Sequence, residues 1–199
     1  RTMKKNSLGF NYLFNLSYQI LIIVLPIITT PYISRVLSAD GIGVYNYTYA
    51  VVHICTIIAA LGTNKYAMRE IAYRQHDREA NTKLFSEILV LRFVCVLVVL
   101  LGYGVIVATS QQYRLIYLLM TMDILAVLVD VSWFFQGLEE FRITVLRNFT
   151  IKISSVLLMF MFVQNSEDVW KYVLIMSAAT LLGQLTMWPY LPQYINNIS

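Results

Sequence analysis

Charged residues are scarce in this sequence, and their scarcity excludes an ordinary soluble domain. Only 13% of the 199 residues are charged, whereas soluble domains have about a quarter. The 15 basic and 11 acidic residues are also clustered, leaving four long uncharged stretches. These are residues 6–34, 41–64, 93–113 and 172–199. Each is longer than the roughly 20 residues needed to cross a hydrocarbon core, so the sequence predicts a multi-pass membrane protein.

Cysteine and histidine are equally sparse, with two of each. Cys55 and Cys95 lie inside apolar stretches, which supports neither a disulfide framework nor a zinc site. The sequence also lacks a glycine-rich phosphate loop before a helix and any Ser-His-Asp spacing typical of hydrolases. We therefore predict a protein that is not an enzyme and that needs no metal or cofactor.

Six transmembrane helices account for the apolar stretches. Backbone polar groups in lipid must be satisfied within one segment, which favours helices, and the two-residue alternation of barrel strands is missing from the sequence. The prediction is an all-α integral membrane fold, with residues 1–199 forming a single six-helix bundle. The predicted spans are 10–33, 44–61, 88–109, 115–135, 149–163 and 169–190.

The distribution of Lys and Arg predicts the orientation of the bundle. With both termini in the cytoplasm, eleven of the 15 basic residues fall on the cytoplasmic side, including Arg147 and Lys152. The opposite side has three, and Arg92 lies inside a span. This bias predicts an N-in, C-in topology. It also explains the net charge of +4 without nucleic acid, which we do not expect as a partner.

Two charges inside the third and fourth spans invite a joint interpretation. Arg92 and Asp130 are each 19 residues from Gln111, in the tight link between these spans, so they lie at one depth. One interpretation is a structural ion pair, or an arginine that extends to the headgroups. The other places Arg92 on a central cavity, where it would bind an anionic substrate.

Further polar groups are predicted near the middle of the membrane. Asp123 lies seven residues before Asp130, and His53 lies at a similar depth in the second span. They are candidates for proton or cation coupling, the alternative being a protonated aspartate and a histidine that are simply hydrogen-bonded. The first helix has a polar stripe, which either packs against another helix or lines a watery cavity. Its amide residues are Asn11, Asn15 and Gln19.

Three segments together resemble one family of transporters. They are Arg-Val-Leu-Ser-Ala-Asp-Gly-Ile-Gly-Val-Tyr at 35–45, Leu-Gly-Thr-Asn-Lys-Tyr-Ala-Met-Arg-Glu-Ile-Ala at 61–72, and Asp-Val-Ser-Trp-Phe-Phe-Gln-Gly-Leu-Glu at 130–139. In order, spacing and predicted sidedness they resemble motifs of the bacterial polysaccharide-biosynthesis flippases. These flippases belong to the multidrug, oligosaccharidyl-lipid and polysaccharide exporter superfamily.

The resemblance implies a function and a set of partners. It implies transport of an undecaprenyl-pyrophosphate-linked oligosaccharide across the bacterial plasma (inner) membrane, as in O-antigen or capsule export. Arg35, Arg92 and the amides of the first helix are then candidates for substrate binding, and Asp123 and His53 for coupling. The family has two lobes, and this chain resembles the N-terminal one. The expected partners are membrane lipid, the lipid-linked oligosaccharide, a second lobe or a second copy, and polysaccharide assembly enzymes.

Two other functions remain open from the sequence. A cation-coupled multidrug exporter of the same superfamily would use a midplane carboxylate such as Asp123. A membrane enzyme acting on polyprenyl phosphate would need paired aspartates in a cytoplasmic loop, and the loop between Lys65 and Lys83 has scattered charges instead.

Overall fold

A computed structural model describes the backbone of residues 8–74 and 77–195, and the side chains of residue 20 and of 23–74, 77–140 and 143–195. Regular structure within these ranges is helical throughout. The eight α-helices are α1 (Leu8–Val36), α2 (Ser38–Ala60), α3 (Thr63–Tyr73), α4 (Arg78–Thr109), α5 (Arg114–Val129), α6 (Ser132–Gly137), α7 (Phe141–Phe162) and α8 (Val169–Leu185).

Several of these helices are suited to a membrane. Four described stretches are long and apolar enough to cross one: Ser38–Tyr73, Arg78–Thr109, Arg114–Gly137 and Ile143–Phe162. Residues Ile23–Val36 form a shorter apolar helix, and α8 has 17 residues. The predicted all-α membrane fold is confirmed, while the number of six spans stays a prediction.

The boundaries differ from the predicted spans most at α4, which begins ten residues before the predicted start at 88, and then at α7. Helix α7 begins at Phe141, eight residues before the predicted start at 149. Arg147 and Lys152, which were counted with the cytoplasmic connections, therefore lie inside a helix whose stretch Ile143–Phe162 is apolar enough to span.

Helix α5 occupies the centre of the bundle and packs against α2, α4 and α8. Its buried residues Tyr117, Met120 and Ile124 recur at helical spacing and face Val52 of α2 and Val96 of α4. Many large apolar side chains on the outside of the bundle are exposed, as a surface in contact with lipid requires. The apolar sequence thus supplies both a packed centre and a lipid-facing exterior.

A second core lies at the end of the bundle that is predicted to be cytoplasmic. Trp133, Phe134 and Phe135 of α6 are buried there against Phe85 of α4 and Ile71 of α3. The chain reaches this position because α2 ends at two residues in left-handed conformation, Leu61 and Gly62, before α3 begins. The aromatic cluster fixes α3 and α6 across one end of the longer helices.

The connection between α7 and α8 is held by a buried carboxylate. Asp168 forms an ion pair with Lys171 at 2.6 Å and accepts hydrogen bonds from the backbone N–H groups of Gln164 and Asn165, each at 3.0 Å. The bond from Lys171 and these N–H groups lower the pKa of Asp168 below its ordinary value. The ionised carboxylate therefore stabilises the turn that precedes α8.

Replacing Asp168 with asparagine should make the stability of the protein less dependent on pH in the acid range. A lowered pKa means that the stabilising contribution is complete above the ordinary aspartate pKa, about 3.9, and is lost as the pH falls through the lowered value. We expect Asp168→Asn to melt a few degrees below wild type at pH 7, with the gap closing under acid conditions. Glu167→Gln, at an exposed neighbour, is the control and should melt like wild type. A gap that stays constant with pH would contradict this role.

Candidate functional site

A polar cavity of about 260 Å³ opens among α2, α5 and α8. Apolar side chains such as Val52, Met120 and Val127 form part of its wall. The rest of the wall is polar, although the helices that form it are largely apolar. The polar groups belong to Tyr45, Tyr49, His53, Thr56, Asp123, Asp130, Ser177, Thr180 and Gln184.

Asp123 is fixed in this cavity by the neighbouring helix. Its carboxylate accepts a hydrogen bond of 2.6 Å from the hydroxyl of Ser177, which is a buried residue of α8. Because the bond joins α5 to α8, it positions the carboxylate on the cavity wall. His53 lines the same cavity from α2, so the structure brings the two coupling candidates to one space.

An aromatic row on α2 forms a second side of the cavity. Tyr45, Tyr49 and His53 are four residues apart, which places them on one helix face. The ring centroids of Tyr45 and Tyr49 are 5.6 Å apart, and so are those of Tyr49 and His53. The row presents hydroxyl and imidazole groups along the depth of the cavity, which suits a ligand rich in hydroxyl groups.

Arg92 lies in a separate, buried network next to the cavity. Its side chain is 1% exposed and donates to the hydroxyl of Thr63 at 3.0 Å and to the side-chain oxygen of Asn64. It also donates to the main-chain carbonyls of Val127 and Asp130, at 3.3 and 2.5 Å. The guanidinium therefore joins the start of α3 to the end of α5.

The carboxylate of Asp130 has other partners. It accepts from the backbone N–H and the hydroxyl of Ser132, at 2.9 and 2.5 Å, and from the amide of Asn64 at 3.3 Å. The structure thus brings Arg92 and Asp130 together, as their equal depth predicts, through the Asp130 carbonyl. The carboxylate itself binds Ser132, the first residue of α6, in the manner of an Asx turn.

Of the remaining predicted binding residues, the structure describes the side chain of one, and it lies away from the cavity. Arg35 is exposed in the last turn of α1 and is not part of the cavity wall. The amide side chains of the first helix lie outside the described residues. They are those of Asn11, Asn15 and Gln19.

A second space, of about 250 Å³, lies between α7 and α8 and contains two cations that the sequence did not suggest as site residues. Arg147 and Lys152 both line it. Arg147 donates to the side-chain oxygen of Gln184 at 2.5 Å. The two spaces are neighbours, since Met176, Thr180 and Gln184 line both of them. Lys152 already falls inside the predicted fifth span, and Arg147 would have been found by extending that span backwards by two residues.

Acidic, histidine and cysteine side chains do not gather into a metal site in the part of the chain that the structure describes. What it does show is a multi-pass α-helical membrane protein with an open, partly polar cavity among its helices and two cations beside it. Such an arrangement is typical of a transporter rather than of a membrane anchor.

Comparison with known proteins identifies the family. Residues 8–195 match the family model described as "Polysaccharide biosynthesis protein", and the chain belongs to this family. The resemblance found in the sequence motifs is thereby confirmed.

Two curated relatives bear the name "Putative O-antigen transporter". The one from Shigella dysenteriae is 29% identical over 175 residues, which cover 84% of this chain and 41% of the relative. The one from Escherichia coli (strain K12) is 23% identical over 163 residues, covering 80% of this chain and 39% of the relative. The chain thus spans about two fifths of the length of these relatives, and no solved structure matches it. Relatives named as transporters agree with the prediction that it is not an enzyme.

Proposed function

We propose that this chain forms one lobe of a transporter that moves a lipid-linked oligosaccharide across the bacterial plasma membrane. The observation that carries the proposal is the polar cavity among α2, α5 and α8. Sugar hydroxyl groups lose their hydration in hydrocarbon at a high cost, so a carrier must offer them hydrogen-bonding partners within the membrane. Tyrosine, serine, threonine and glutamine side chains offer such partners here. The names of the two curated relatives support the same substrate class.

The length of the chain supports a two-lobe machine. Alternating access moves one repeat or bundle against another around a fixed site. The chain matches about two fifths of each curated relative, which leaves room for a second bundle of similar size. We propose that the cavity faces a second lobe, either from further chain or from a second copy. Both termini of this lobe would be cytoplasmic, where polysaccharide assembly enzymes deliver the substrate.

The export of surface polysaccharide tests this function. Deleting the gene should abolish the surface polysaccharide and cause lipid-linked repeat units to accumulate on the cytoplasmic side, and the full reading frame should restore export. Unchanged polysaccharide, together with new sensitivity to drugs, would contradict the proposal. That result would favour the second candidate function, a cation-coupled multidrug exporter, which the intramembrane carboxylate of Asp123 supports.

The role of Asp123 in coupling can be separated from its hydrogen bond. Asp123→Asn keeps a group that can accept from Ser177 but removes the titratable charge, so we expect export to fall by on the order of tenfold. Ser177→Ala removes the bond and leaves the carboxylate, and export should stay within a few fold of wild type. Surface polysaccharide, normalised to the amount of protein in the membrane, is the measurement. Normal export by Asp123→Asn would show that the carboxylate is structural.

A further inference from the structure

Two cations lie deep inside α7. Lys152 is 11 residues after Phe141 and 10 residues before Phe162, the two ends of the helix. At about 1.5 Å per residue, its Cα lies about 16 Å along the helix, near the middle. Arg147 lies about 9 Å along by the same measure. Charges at such depth are costly in a membrane and face a partner or a watery space.

The surroundings of both cations are polar and open to the groove between α7 and α8. Arg147 is held by the side-chain oxygens of Gln184 and Asn148, each at 2.5 Å, and both of these amides are neutral. The hydroxyl of Ser155 lies one turn beyond Lys152 on the same groove. The ion pairs formed within the described residues do not include Lys152. The groove therefore has positive charge, together with neutral groups able to form hydrogen bonds.

The groove adjoins the cavity that we propose for the oligosaccharide. Thr180 and Gln184 of α8 line both spaces, so the two lie side by side along this helix. In a lipid-linked oligosaccharide the pyrophosphate is attached directly to the first sugar. A site for the pyrophosphate must consequently lie next to the site for the sugar, as this groove does.

We propose that Arg147 and Lys152 bind the pyrophosphate of the lipid-linked substrate while its sugars occupy the neighbouring cavity. This inference rests on the proposed function. Guanidinium and ammonium groups are the usual protein partners of phosphate oxygens. Because two amides already hold the guanidinium of Arg147, it loses little further conformational freedom when it binds a phosphate. The depth of Lys152 favours a transported headgroup over a resident phospholipid, whose phosphate stays at the membrane interface.

Binding of a short analogue tests the site. The probe is farnesyl pyrophosphate, added to the purified full-length protein in phosphatidylcholine nanodiscs, with farnesol as the uncharged comparison. We expect wild type to bind the pyrophosphate and Lys152→Met to bind it on the order of tenfold more weakly. Lys152→Arg keeps the charge and should retain most of the affinity. Lys83→Met, at an exposed position in the first turns of α4, is the matched control and should bind like wild type.

Each outcome bears on one of the two proposals. Equal binding of farnesyl pyrophosphate by Lys152→Met and wild type would overturn the site. The site would also be overturned if the difference in affinity between these two proteins disappeared when phosphatidylglycerol replaces phosphatidylcholine, which would identify a phospholipid site.

Melting temperatures of the variants show whether weaker binding reflects misfolding, and Arg147→Gln provides a second, independent variant. If the pyrophosphate binds in a Lys152-dependent manner but polysaccharide export is unaffected by deletion, the site stands and the proposed function fails. If export requires the protein but tolerates Lys152→Met and Arg147→Gln together, the function stands and the site fails.

Discussion

Replacing Arg92 with methionine is expected to destabilise the protein by about 1–3 kcal/mol, the cost of leaving hydrogen-bond acceptors without their donor. Methionine fills much of the same volume but donates no hydrogen bond. Thr63, Asn64 and the two carbonyls at the end of α5 would then lose a donor that is itself buried. The melting temperature in mild detergent and the fraction of monodisperse protein after size exclusion measure the loss.

Replacing Arg92 with lysine should retain little of the stability that the arginine provides. The donors of arginine diverge from a planar group and reach four residues at once, whereas an ammonium is a compact point charge. The matched control is Arg114→Met, because Arg114 is exposed at the start of α5. Its free energy of unfolding should lie within about 0.5 kcal/mol of the wild-type value, as is usual for surface substitutions. Wild-type stability in Arg92→Met would show that the network contributes nothing.

Substitution of Asp130, alone and together with Arg92, distinguishes this network from an ion pair. A pair of charges predicts that removing both partners restores part of the stability lost by removing one. In the structure Arg92 binds the Asp130 carbonyl, which remains after the side chain is changed. We therefore expect Asp130→Ala to cost about 1 kcal/mol through the lost hydrogen bonds with Ser132, and the double variant to show no rescue.

Replacing Gly137 with alanine or valine is the second change with a large expected effect. A Cβ atom at Gly137 would lie 2.7 Å from the Cβ of Ile71 and 2.8 Å from the carbonyl oxygen of Met68. Both belong to α3, whose backbone cannot move without disturbing the aromatic cluster beneath it. Overpacking of this kind costs about 1–3 kcal/mol for the smaller change and more for valine. The melting temperature should fall in the order glycine, alanine, valine.

Gly102 provides the control for this series. It lies within α4, where an added Cβ would meet nothing within 4 Å. Alanine there should be neutral or stabilise the helix by up to about 1 kcal/mol, because glycine is a poor helix former. If Gly137→Ala behaved like Gly102→Ala, the close approach of α6 to α3 would not exist in solution.

Much of the fold follows from the sequence because membrane helices need long uncharged stretches. The pairing of α4 with α5 and the shared depth of Arg92 and Asp130 come from counting residues on either side of a tight link. The break between α5 and α6 could not be counted in the same way. The apolar pattern continues to Phe135, and the break depends on the Asp130 carboxylate binding the start of α6.

The cavity was harder to predict than the helices. Asp123 and His53 stand out because charged or titratable groups are rare inside spans. Ser177 and Gln184 do not, since a single hydroxyl or amide in an apolar helix forms no pattern, and its direction depends on how α8 is rotated against α5. Lys152 was counted with the cytoplasmic charges although it lies within the predicted span 149–163, because the sequence does not show the groove that accommodates a charge there.

The position of Arg92 in the chain also bears on the order in which the protein enters the membrane. Two of its acceptors, Thr63 and Asn64, are synthesised before α4, and the carbonyls of Val127 and Asp130 come after it. An arginine at the centre of a helix raises the cost of insertion by about 2.5–3.5 kcal/mol, an upper bound for Arg92, which lies four residues after the predicted start of its span at 88. Thr63 and Asn64, at the start of α3, are already present when α4 is synthesised. Their hydrogen bonds with Arg92 can therefore lower the cost of inserting α4. The arrival of α5 then completes the network, so assembly during translation can proceed from the N-terminus without a stage in which the guanidinium faces lipid.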